Sequence, residues 1–439
     1  MLQKIYFKEG NDMSIFDQIQ SQLDHLNSIT DHSLGKGINR LAFSDSDWKA
    51  RSYIVKLMRN AGMIVHYDTF GNVIAKKAGT KPDLPVVMLG SHSDSVPNGG
   101  NFDGIVGLLT AIEAVRQLTL SNYKNDHTIV IVDFMCEESS RFGAATLGSR
   151  SMRGELSLAE IKKLSDKDGI TLYEALKNRK LDPDNIEKAI YTKPVKAFLE
   201  THIEQGKLLD LNKVPIGIVS GIAAPTRFKI HLNGSADHSG ATPMAIRHDG
   251  LCAAAEIILA VEKQAALYSD LQISLESVEL AKPPVVGTVG ICNVYPNAIN
   301  VIPGRVELAV DIRSIDFNAK EAVTTSIKSR INEICTQRNI PYELEMISIE
   351  KPVKASTKIV KFLNNICKKL DTDCIIMPSG AGHDAMHWAD YTPTGMLFIP
   401  CKDGISHNAD EFARTEDIVT SIKIIIEYLT EITKKDCLL

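Results

Sequence analysis

The chain has 439 residues, which is too long for one compact core, so two domains are expected. Hydrophobic residues make up 44% and charged residues 23% of the chain, as in ordinary globular proteins. The net charge of −5 gives no sign of the basic surface that nucleic-acid-binding proteins carry, which argues against nucleic acid as a partner. No apolar run approaches the ~20 residues of a membrane-spanning helix, so no membrane association is expected.

The N-terminus is charged and lacks the apolar core of a secretory signal. The first helical pattern begins at Met13-Ser14 and sets residues 1–12 apart as an extension, so Met1 and Met13 are both candidate start sites. The eight cysteines are scattered without C-x-x-C spacing, which favours free thiols in a reducing compartment. We therefore expect a cytoplasmic protein, with Cys136 packing in a buried strand rather than taking part in chemistry.

Helix-like and strand-like patterns alternate through the first two hundred residues. This alternation predicts an α/β fold, with helices on both faces of a sheet. The polar segment 154–193 is predicted to be a surface insertion that is helical in pieces. The predicted helices are 15–27, 46–61 and 104–119, and the predicted strands are 63–67, 72–76, 85–90, 128–135 and 197–202.

After Gln205-Gly206 the predicted order of elements becomes β-α-β-β-α-β, which is the ferredoxin-like arrangement. Beyond Pro352 the α/β rhythm resumes. We therefore predict a catalytic domain formed by 13–214 and 351–439 and interrupted by a smaller inserted domain over 215–350. The insert has predicted strands at 226–232, 285–295, 304–313 and 341–349 and helices at 247–267 and 319–338; the returning part has helices at 356–369 and 415–433 and strands at 372–377 and 395–399.

Histidines and carboxylates recur where the predicted strands of the catalytic domain end. His92 and Asp94 follow the strand 85–90, and the pair Glu137-Glu138 follows the strand 128–135. Open α/β sheets build their sites at these carboxyl ends. Imidazoles and carboxylates together form the ligand set of a hydrolytic metal centre. The other candidate ligands are Asp103, His202 and His407.

Seven motifs, distributed over both predicted domains, resemble those of a known family. They run between residues 90 and 410 and read GSHSDSVPNGGNFDG, EESSRFGAATLGS, ETHIEQG, DHSGATPM, NVIPG, SGAGHDAM and GISHNAD. The chain resembles the M20 metallopeptidase superfamily, specifically its amidase branch of N-carbamoyl-L-amino-acid hydrolases and allantoate amidohydrolases. The same order of elements covers nearly the whole chain. The resemblance implies a di-metal catalytic domain and an inserted lid and dimerisation domain.

The resemblance also implies a role for each candidate ligand. Asp103 would bridge two divalent ions, with His92 and His202 completing one site and Glu138 and His407 the other. A mixed set of imidazoles and carboxylates suits zinc first, and also accepts manganese, cobalt or nickel. The expected cofactor is therefore a pair of divalent metal ions in each subunit.

Glu137 would be the general base, which takes a proton from a metal-activated water and delivers it to the leaving nitrogen. Adjacent residues of an extended segment point in opposite directions, so Glu137 and Glu138 can have different roles only if the chain bends there. Asp94 is expected to orient the imidazole of His92.

In the inserted domain, His238 resembles the lid histidine, which reaches into the site of the partner subunit and stabilises an oxyanion. This role requires a homodimer formed through the inserted domain; the alternative is a solvated turn residue. Arg313 is suited to a bidentate grip on a substrate carboxylate, and an intradomain ion pair is the alternative. The substrate-binding residues implied by the resemblance are Gln205, Asn300, Arg313, Gly382 and His383.

The implied reaction is hydrolysis of an N-carbamoyl-L-amino acid to the L-amino acid, CO2 and ammonia. Allantoate amidohydrolase is the main alternative, and an M20 aminoacylase or dipeptidase is the third. The motifs depart from the family pattern at Ser139-Ser140, after the acid pair, and at Met386, after GHDA. Met386 lies near the predicted pocket and leaves the exact substrate open. A binding protein that had lost its chemistry would lack a ligand or Glu137, and all of these residues are present.

Overall fold

The computed structural model describes residues 14–268 and 284–437. The N-terminal extension 1–12 and both candidate start sites lie outside the described residues. The chain divides into two compact units. The first contains residues up to Ser220, Ala355–Met377 and His383 onward, and the second contains Gly221–Lys354 together with Pro378–Gly382.

The first unit contains most of the helices and the larger sheet. Its helices are α1 (Ile15–Asn27), α2 (Asp45–Asn60), α3 (Ile105–Leu120), α4 (Leu147–Arg153), α5 (Leu158–Lys163), α6 (Leu172–Asn178), α7 (Leu208–Asn212), α10 (Thr357–Lys369) and α11 (Thr415–Ile432). Its strands are β1 (Ile64–Tyr67), β2 (Val73–Lys77), β3 (Val86–His92), β4 (Ile129–Phe134), β5 (Val195–Ile203), β6 (Ile216–Ile222), β12 (Cys374–Ser379) and β13 (Thr394–Ile399), with the last residues of β6 and β12 assigned to the second unit.

The strands of the large sheet follow the order β1-β2-β4-β3-β5-β13-β6, and β12 also pairs with β6. The four central strands, β4, β3, β5 and β13, are parallel. Parallel strands end at the same edge of a sheet, so the loops after these four strands are brought together. The register sets His92 opposite Phe134 and His202 opposite Phe398 at that edge.

Burial explains why these strands read as continuous apolar runs in the sequence. All residues of β3 and β4 are buried, as expected for parallel strands that are covered on both faces. Helix α3 is buried along most of its length and packs against α11, where Thr110 and Ser421 share a hydrogen bond. Within the described residues, no helix has the length and apolar character needed to cross a bilayer.

The segment 154–193 is more than the surface insertion predicted from its polar composition. Its short helices bury Ile161 and Leu172 in a hydrophobic cluster that includes Met135 and Cys136. These two residues stand directly before the acid pair. Because each short helix buries only a few positions, the average composition of the segment is polar although it supports the loop after β4.

A buried group of charges lies beside the ends of β3 and β4. In α2, Arg51 pairs through Nε with Asp47 at 3.0 Å and through Nη1 with Asp133 at 3.1 Å. Its Nη2 lies 3.8 Å from Asp94 and donates to the carbonyl of Phe134 at 2.8 Å. The arginine and its three acidic partners are fully buried. The guanidinium of Arg51 therefore faces three carboxylates in the interior.

We expect Arg51→Met to destabilise the protein by about 3–5 kcal/mol, because removing one partner of a buried ion pair leaves the other charges uncompensated. Urea unfolding followed by circular dichroism measures the change. Arg59→Met, an exposed position on the same helix, is the matched control and should shift stability by less than about 0.5 kcal/mol. Equal midpoints for the two variants would contradict a stabilising role for the buried network.

The second unit is a four-stranded antiparallel sheet with two long helices. Its strands are β7 (Ala224–Asn233), β8 (Val285–Tyr295), β9 (Arg305–Ser314) and β10 (Tyr342–Ile349), its helices are α8 (Gly250–Ala266) and α9 (Phe317–Arg338), and the short β11 (Val353–Lys354) pairs with the end of β6. The spatial order is β10-β7-β9-β8. Alternate residues of β7 and β9 enter a core formed with apolar residues of both helices, including Ile257 and Ile327.

Candidate metal centre

The predicted ligands meet at the carboxyl edge of the parallel strands. His92 is the last residue of β3, and His202 is the penultimate residue of β5. Glu137 and Glu138 follow β4, and all four side chains are buried. His407 lies beyond β13, in a loop where its own φ is +55°. The topology of the sheet therefore assembles residues that are more than three hundred positions apart in the chain.

Asp103 lies between two groups of possible ligands. Its Oδ1 is 3.2 Å from Nε2 of His92 and 3.0 Å from Nε2 of His202. Its Oδ2 is 3.2 Å from Nε2 of His407, which is 3.5 Å from Oε1 of Glu138. Within each group the candidate ligand atoms lie within 4.8 Å of one another. Each group can hold one metal ion, and Asp103 offers one oxygen to each.

The chemistry of this cluster fits two divalent cations. Three imidazoles and two carboxylates are ligand types that such ions bind. Burial and the neighbouring Asp103 raise the pKa of Glu138 to about 7. Burial also raises the pKa of Glu137 well above its ordinary value. The Oε1 atom of Gln205 is buried without a hydrogen-bond partner in the described structure. Bound cations would offset the repulsion among these acids.

The loop that carries Asp103 is fixed by a glycine and a glutamate. Gly104 adopts φ +65°, and a Cβ atom there would lie 2.6 Å from Nε2 of His92, so no larger residue fits. Oε1 of Glu411 accepts the backbone N–H groups of Phe102 and Asp103, each at 3.0 Å. Its Oε2 accepts the hydroxyl of Ser406 at 2.9 Å. Glu411 thus connects the Asp103 loop with the loop of His407.

The chain bends just before the acid pair, as two separate roles for the acids require. Cys136 adopts φ +58°, in the left-handed region. The two carboxylate oxygens of Asp94 accept the backbone N–H groups of Glu137 and Glu138, at 3.2 and 3.1 Å. Oε2 of Glu137 lies 3.9 Å from Nε2 of His92, whereas Glu138 faces His407. Cys136 itself is buried in the apolar cluster, and burial raises the pKa of its thiol well above the ordinary value.

Asp94 contacts the ring of His92 through its backbone carbonyl. Nδ1 of His92 lies 3.1 Å from the backbone carbonyl oxygen of Asp94 and 3.7 Å from its carboxylate. The carbonyl therefore orients the imidazole, and the carboxylate holds the backbone of the acid pair. A sequence reveals that an aspartate is near a histidine, but it does not reveal which oxygen faces the ring.

Two of the predicted pocket residues lie beside the candidate metal ligands. Nε2 of Gln205 donates to Asp103 at 2.7 Å and lies 3.2 Å from Nε2 of His407. The ring of His383 is buried 4.6 Å from the ring of His202. Burial and the neighbouring His202 hold the pKa of His383 well below its ordinary value, so this imidazole is neutral.

Two buried acids near His383 are not among the predicted site residues. Glu200 accepts the backbone N–H of Ala385 at 2.9 Å. Asp384 accepts the hydroxyl of Ser149 at 2.5 Å. Both acids stand inside motifs that had been singled out, ETHIEQG and SGAGHDAM, and their charge within an apolar context was the available signal. They hold the segment that carries His383.

The remaining predicted site residues belong to the second unit. His238 is exposed, and its Nδ1 accepts the N–H groups of Gly240 and Ala241 at 3.1 Å each. The carbonyl of Asn300 accepts the N–H of Ser239 at 3.0 Å, which ties the two loops together. Asn300 is exposed, and so is Gly382.

Arg313 forms the intradomain ion pair that the sequence left open as its alternative role. Its Nε and Nη2 donate to the carboxylate of Asp311, at 2.8 and 3.2 Å, and its Nη1 donates to the carbonyl of Gly380 at 3.0 Å. Among the described residues, these bonds use one N–H of each terminal nitrogen. The second N–H groups of both nitrogens remain for a ligand.

We expect metal binding to stabilise the protein more at pH 8 than at pH 6. Glu138, with a pKa of about 7 caused by burial and Asp103, holds a proton at pH 6 that an ion must displace, and has lost it at pH 8. The hydrogen bond to Asp103 raises the pKa of His407 to about 9, so that proton is displaced at both values. Displacing a proton weakens the free energy of metal binding by about 1.4 kcal/mol for each pH unit below the pKa of the group. Thermal unfolding with chelator and with saturating Zn²⁺ or Mn²⁺ measures this difference. Equal metal-induced shifts at both pH values would contradict it.

The fold and the site together define a two-unit α/β protein with paired candidate metal sites at the carboxyl edge of a sheet. The Peptidase family M20/M25/M40 matches residues 88–431, and the chain belongs to this family. The chain is 41% identical over 395 residues to an N-carbamoyl-L-amino-acid amidohydrolase of Pseudomonas sp. (strain NS671), covering 89% of this chain and 92% of the relative.

Two further similarities are informative. The chain is 36% identical over 414 residues to a ureidoglycolate hydrolase of Arabidopsis thaliana, covering 93% of this chain and 84% of the relative. The structure of a hydantoinase/carbamoylase family amidase from Burkholderia multivorans superposes with a TM-score of 0.85 at 32% identity, covering 94% of this chain and 97% of that one. The predicted family is therefore confirmed, and the protein is a hydrolase of non-peptide C–N bonds.

Proposed function

We propose that the protein hydrolyses the ureido C–N bond of N-carbamoyl-L-amino acids. Water adds to the carbamoyl carbon and the bond to the amino-acid nitrogen breaks, which releases the L-amino acid and carbamate; the carbamate then yields CO2 and ammonia. The observation that carries this proposal is the arrangement of Asp103 between two ligand groups, with a further carboxylate, Glu137, beside them. The relative named N-carbamoyl-L-amino-acid amidohydrolase supports the choice of substrate.

His92, His202 and Asp103 would hold one ion, and Asp103, Glu138 and His407 the other. Two divalent ions bound there would supply Lewis acidity, which polarises the carbonyl and lowers the pKa of water.

Glu137 is suited to carry the proton of the reaction. Its carboxylate lies next to the cluster, while its backbone N–H is held by Asp94. Because burial raises its pKa, Glu137 is a stronger base than an exposed glutamate, and once protonated it is still acidic enough to deliver the proton to the leaving nitrogen. The fixed backbone keeps the carboxylate in one position through both transfers.

The second unit offers the groups for recognising an amino-acid carboxylate and an oxyanion. The terminal N–H groups of Arg313 suit a substrate carboxylate, and Asn300 offers an exposed amide. Because Nδ1 of His238 accepts two backbone N–H groups, Nε2 is the nitrogen that remains to donate to an oxyanion. In the first unit, Gln205 and His383 lie beside the candidate metal ligands and would contact the substrate there.

We propose that the second unit acts as a lid and dimerisation domain with a ferredoxin-like fold. Its β8 is the last strand of the sheet order, and Val286, Ile291 and Tyr295 of this strand are exposed apolar residues. An edge strand with such a surface is suited to pair with a second copy of the chain. In a homodimer of this kind, His238 would serve the site of the partner subunit.

The substrate is tested by ammonia release from the metal-loaded protein with N-carbamoyl-L-methionine, allantoate and ureidoglycolate as separate substrates. We expect the carbamoyl amino acid to give the highest kcat/KM. A preference for allantoate would overturn the substrate choice in favour of an allantoate amidohydrolase, and a preference for ureidoglycolate would favour the activity named for the plant relative. No ammonia release from any of the three substrates, with the metal bound, would contradict ureido chemistry.

His238→Ala should lower kcat by about 10²- to 10³-fold, the usual effect of removing an oxyanion donor, and should leave the metal content unchanged. His248→Ala, in the same unit, is the matched control. Activity of His238→Ala equal to that of the control would exclude the oxyanion role.

A further inference from the structure

A cleft of about 490 Å³ lies in the first unit, and none of the proposed metal ligands lines it. The β1–β2 hairpin contributes His66, Ile74 and Lys76 to its lining, and the register places His66 opposite Ile74 and Ile64 opposite Lys76. These four side chains share one face of the hairpin because alternate residues of a strand point the same way. The segment 180–193 provides the walls.

The cleft is rich in cationic side chains that have no anionic partner. Lys76, Lys180, Lys188 and Lys193 all line it, and none of them forms an ion pair within 14–268 and 284–437. Lys76 and Lys193 line the same cleft; burial lowers the pKa of Lys76, and the charge of Lys193 lowers it further. In a protein with a net charge of −5, this local excess of positive charge is unusual.

The two acids of the cleft do not neutralise these lysines. Asp68 accepts the backbone N–H groups of Phe70, Gly71 and Asn72, and burial raises its pKa to about 6. Asp182 accepts the side-chain amide of Asn185 at 2.7 Å. Both carboxylates are therefore engaged by their own loops.

Two buried hydroxyl groups point to the same type of ligand. The Oγ1 atom of Thr69 and the hydroxyl of Tyr191 are buried and have no hydrogen-bond partner among the residues that the structure describes. Both residues line the cleft. Burial raises the pKa of Tyr191 to about 12, so its hydroxyl keeps its proton and can donate. A buried donor without an acceptor is costly, and an acceptor from outside the chain would remove that cost.

We propose that this cleft binds a phosphate-bearing anion, with Lys76 and Lys193 as its main charged contacts. Phosphate carries several negative oxygens in a tetrahedral arrangement, which suits several separate ammonium and hydroxyl donors. Lysine ammonium groups bind phosphate as point charges, and the cationic groups that line this cleft are lysines. The volume exceeds that of one phosphate and leaves room for the rest of a nucleotide beside Tyr67 and Tyr191.

Isothermal titration of the metal-loaded protein with inorganic phosphate and with AMP, in separate runs, tests this site. We expect saturable binding that is at least about tenfold weaker in the double variant Lys76→Met/Lys193→Met. Tyr191→Phe, which removes only the unpartnered hydroxyl, should weaken binding by about threefold. Any phosphate held by the metal centre is the same in all variants and cancels in the comparison. Tighter binding of AMP would identify a nucleotide as the ligand, and equal affinities would identify free phosphate; both results support the site.

The control is Lys81→Met/Lys229→Met, which removes the same charge from two lysines that are paired with Asp126 and Glu345. It should bind both probes as the unmodified protein does. The absence of saturable binding of either probe would overturn the proposal. Equal weakening in both double variants would also overturn it, because the attraction would then come from overall charge. Because the proposal does not depend on the proposed catalytic function, unchanged ammonia release in Lys76→Met/Lys193→Met is expected.

Discussion

Glu137→Gln should lower kcat by about 10²- to 10⁴-fold while the metal content stays unchanged, which is the effect of removing a general base. Glutamine has nearly the same shape as glutamate and keeps the backbone N–H that Asp94 accepts. It cannot take a proton from water. Glu137 belongs to neither group of candidate metal ligands, so the ions should bind as before.

Ammonia release and metal analysis of the same purified sample measure the two effects together. Glu187→Gln, which changes an exposed glutamate of the first unit, is the matched control and should keep full activity. Loss of both activity and metal in Glu137→Gln would assign Glu137 to the ligand set. Retention of activity within about threefold would exclude it as the base.

Asp103→Asn should have a larger effect, because it removes a ligand from both metal groups at once. The three histidines around Asp103 keep its pKa well below the ordinary value despite burial, so its carboxylate is charged at neutral pH. Asparagine would retain the shape and lose the charge between the two ions. We expect the metal content to fall from about two ions to less than one per chain, with turnover lowered by about 10⁴-fold or more.

Metal content after dialysis, measured by mass spectrometry, gives the primary result. Asp410→Asn is the control, since Asp410 is an exposed aspartate in the loop of His407. It should retain both ions and most of the activity. Two tightly bound ions in Asp103→Asn would show that the groups do not share this residue.

Most of the elements could be predicted from the sequence because their hydrophobic periodicity is strong. The helix 15–27 and the strand 285–295 have the predicted bounds, and β3 and β4 are recognisable as apolar runs because both of their faces are covered. The candidate ligands could be found for a related reason: they follow directly after these recognisable strands, where a parallel sheet brings its loops together.

The elements and contacts that the sequence did not reveal depend on tertiary structure. Strand β6 was missed because Gly217 and Gly221 interrupt its apolar pattern beside the predicted domain boundary. Glu411 and Asp384 looked like ordinary acids, since their roles depend on backbone or hydroxyl donors from distant parts of the chain. For Arg313 the sequence left an intradomain ion pair open without naming its partner; the partner is Asp311 because residues two apart in β9 share a face.

The most direct test of the central claim is an anomalous-scattering map of metal-loaded crystals, recorded on both sides of the absorption edge of the metal. We expect two peaks, one among His92, Asp103 and His202 and the other among Asp103, Glu138 and His407, with Asp103 as the shared ligand. A single peak, or peaks that do not include Asp103, would contradict the two-ion centre on which the proposed hydrolysis depends.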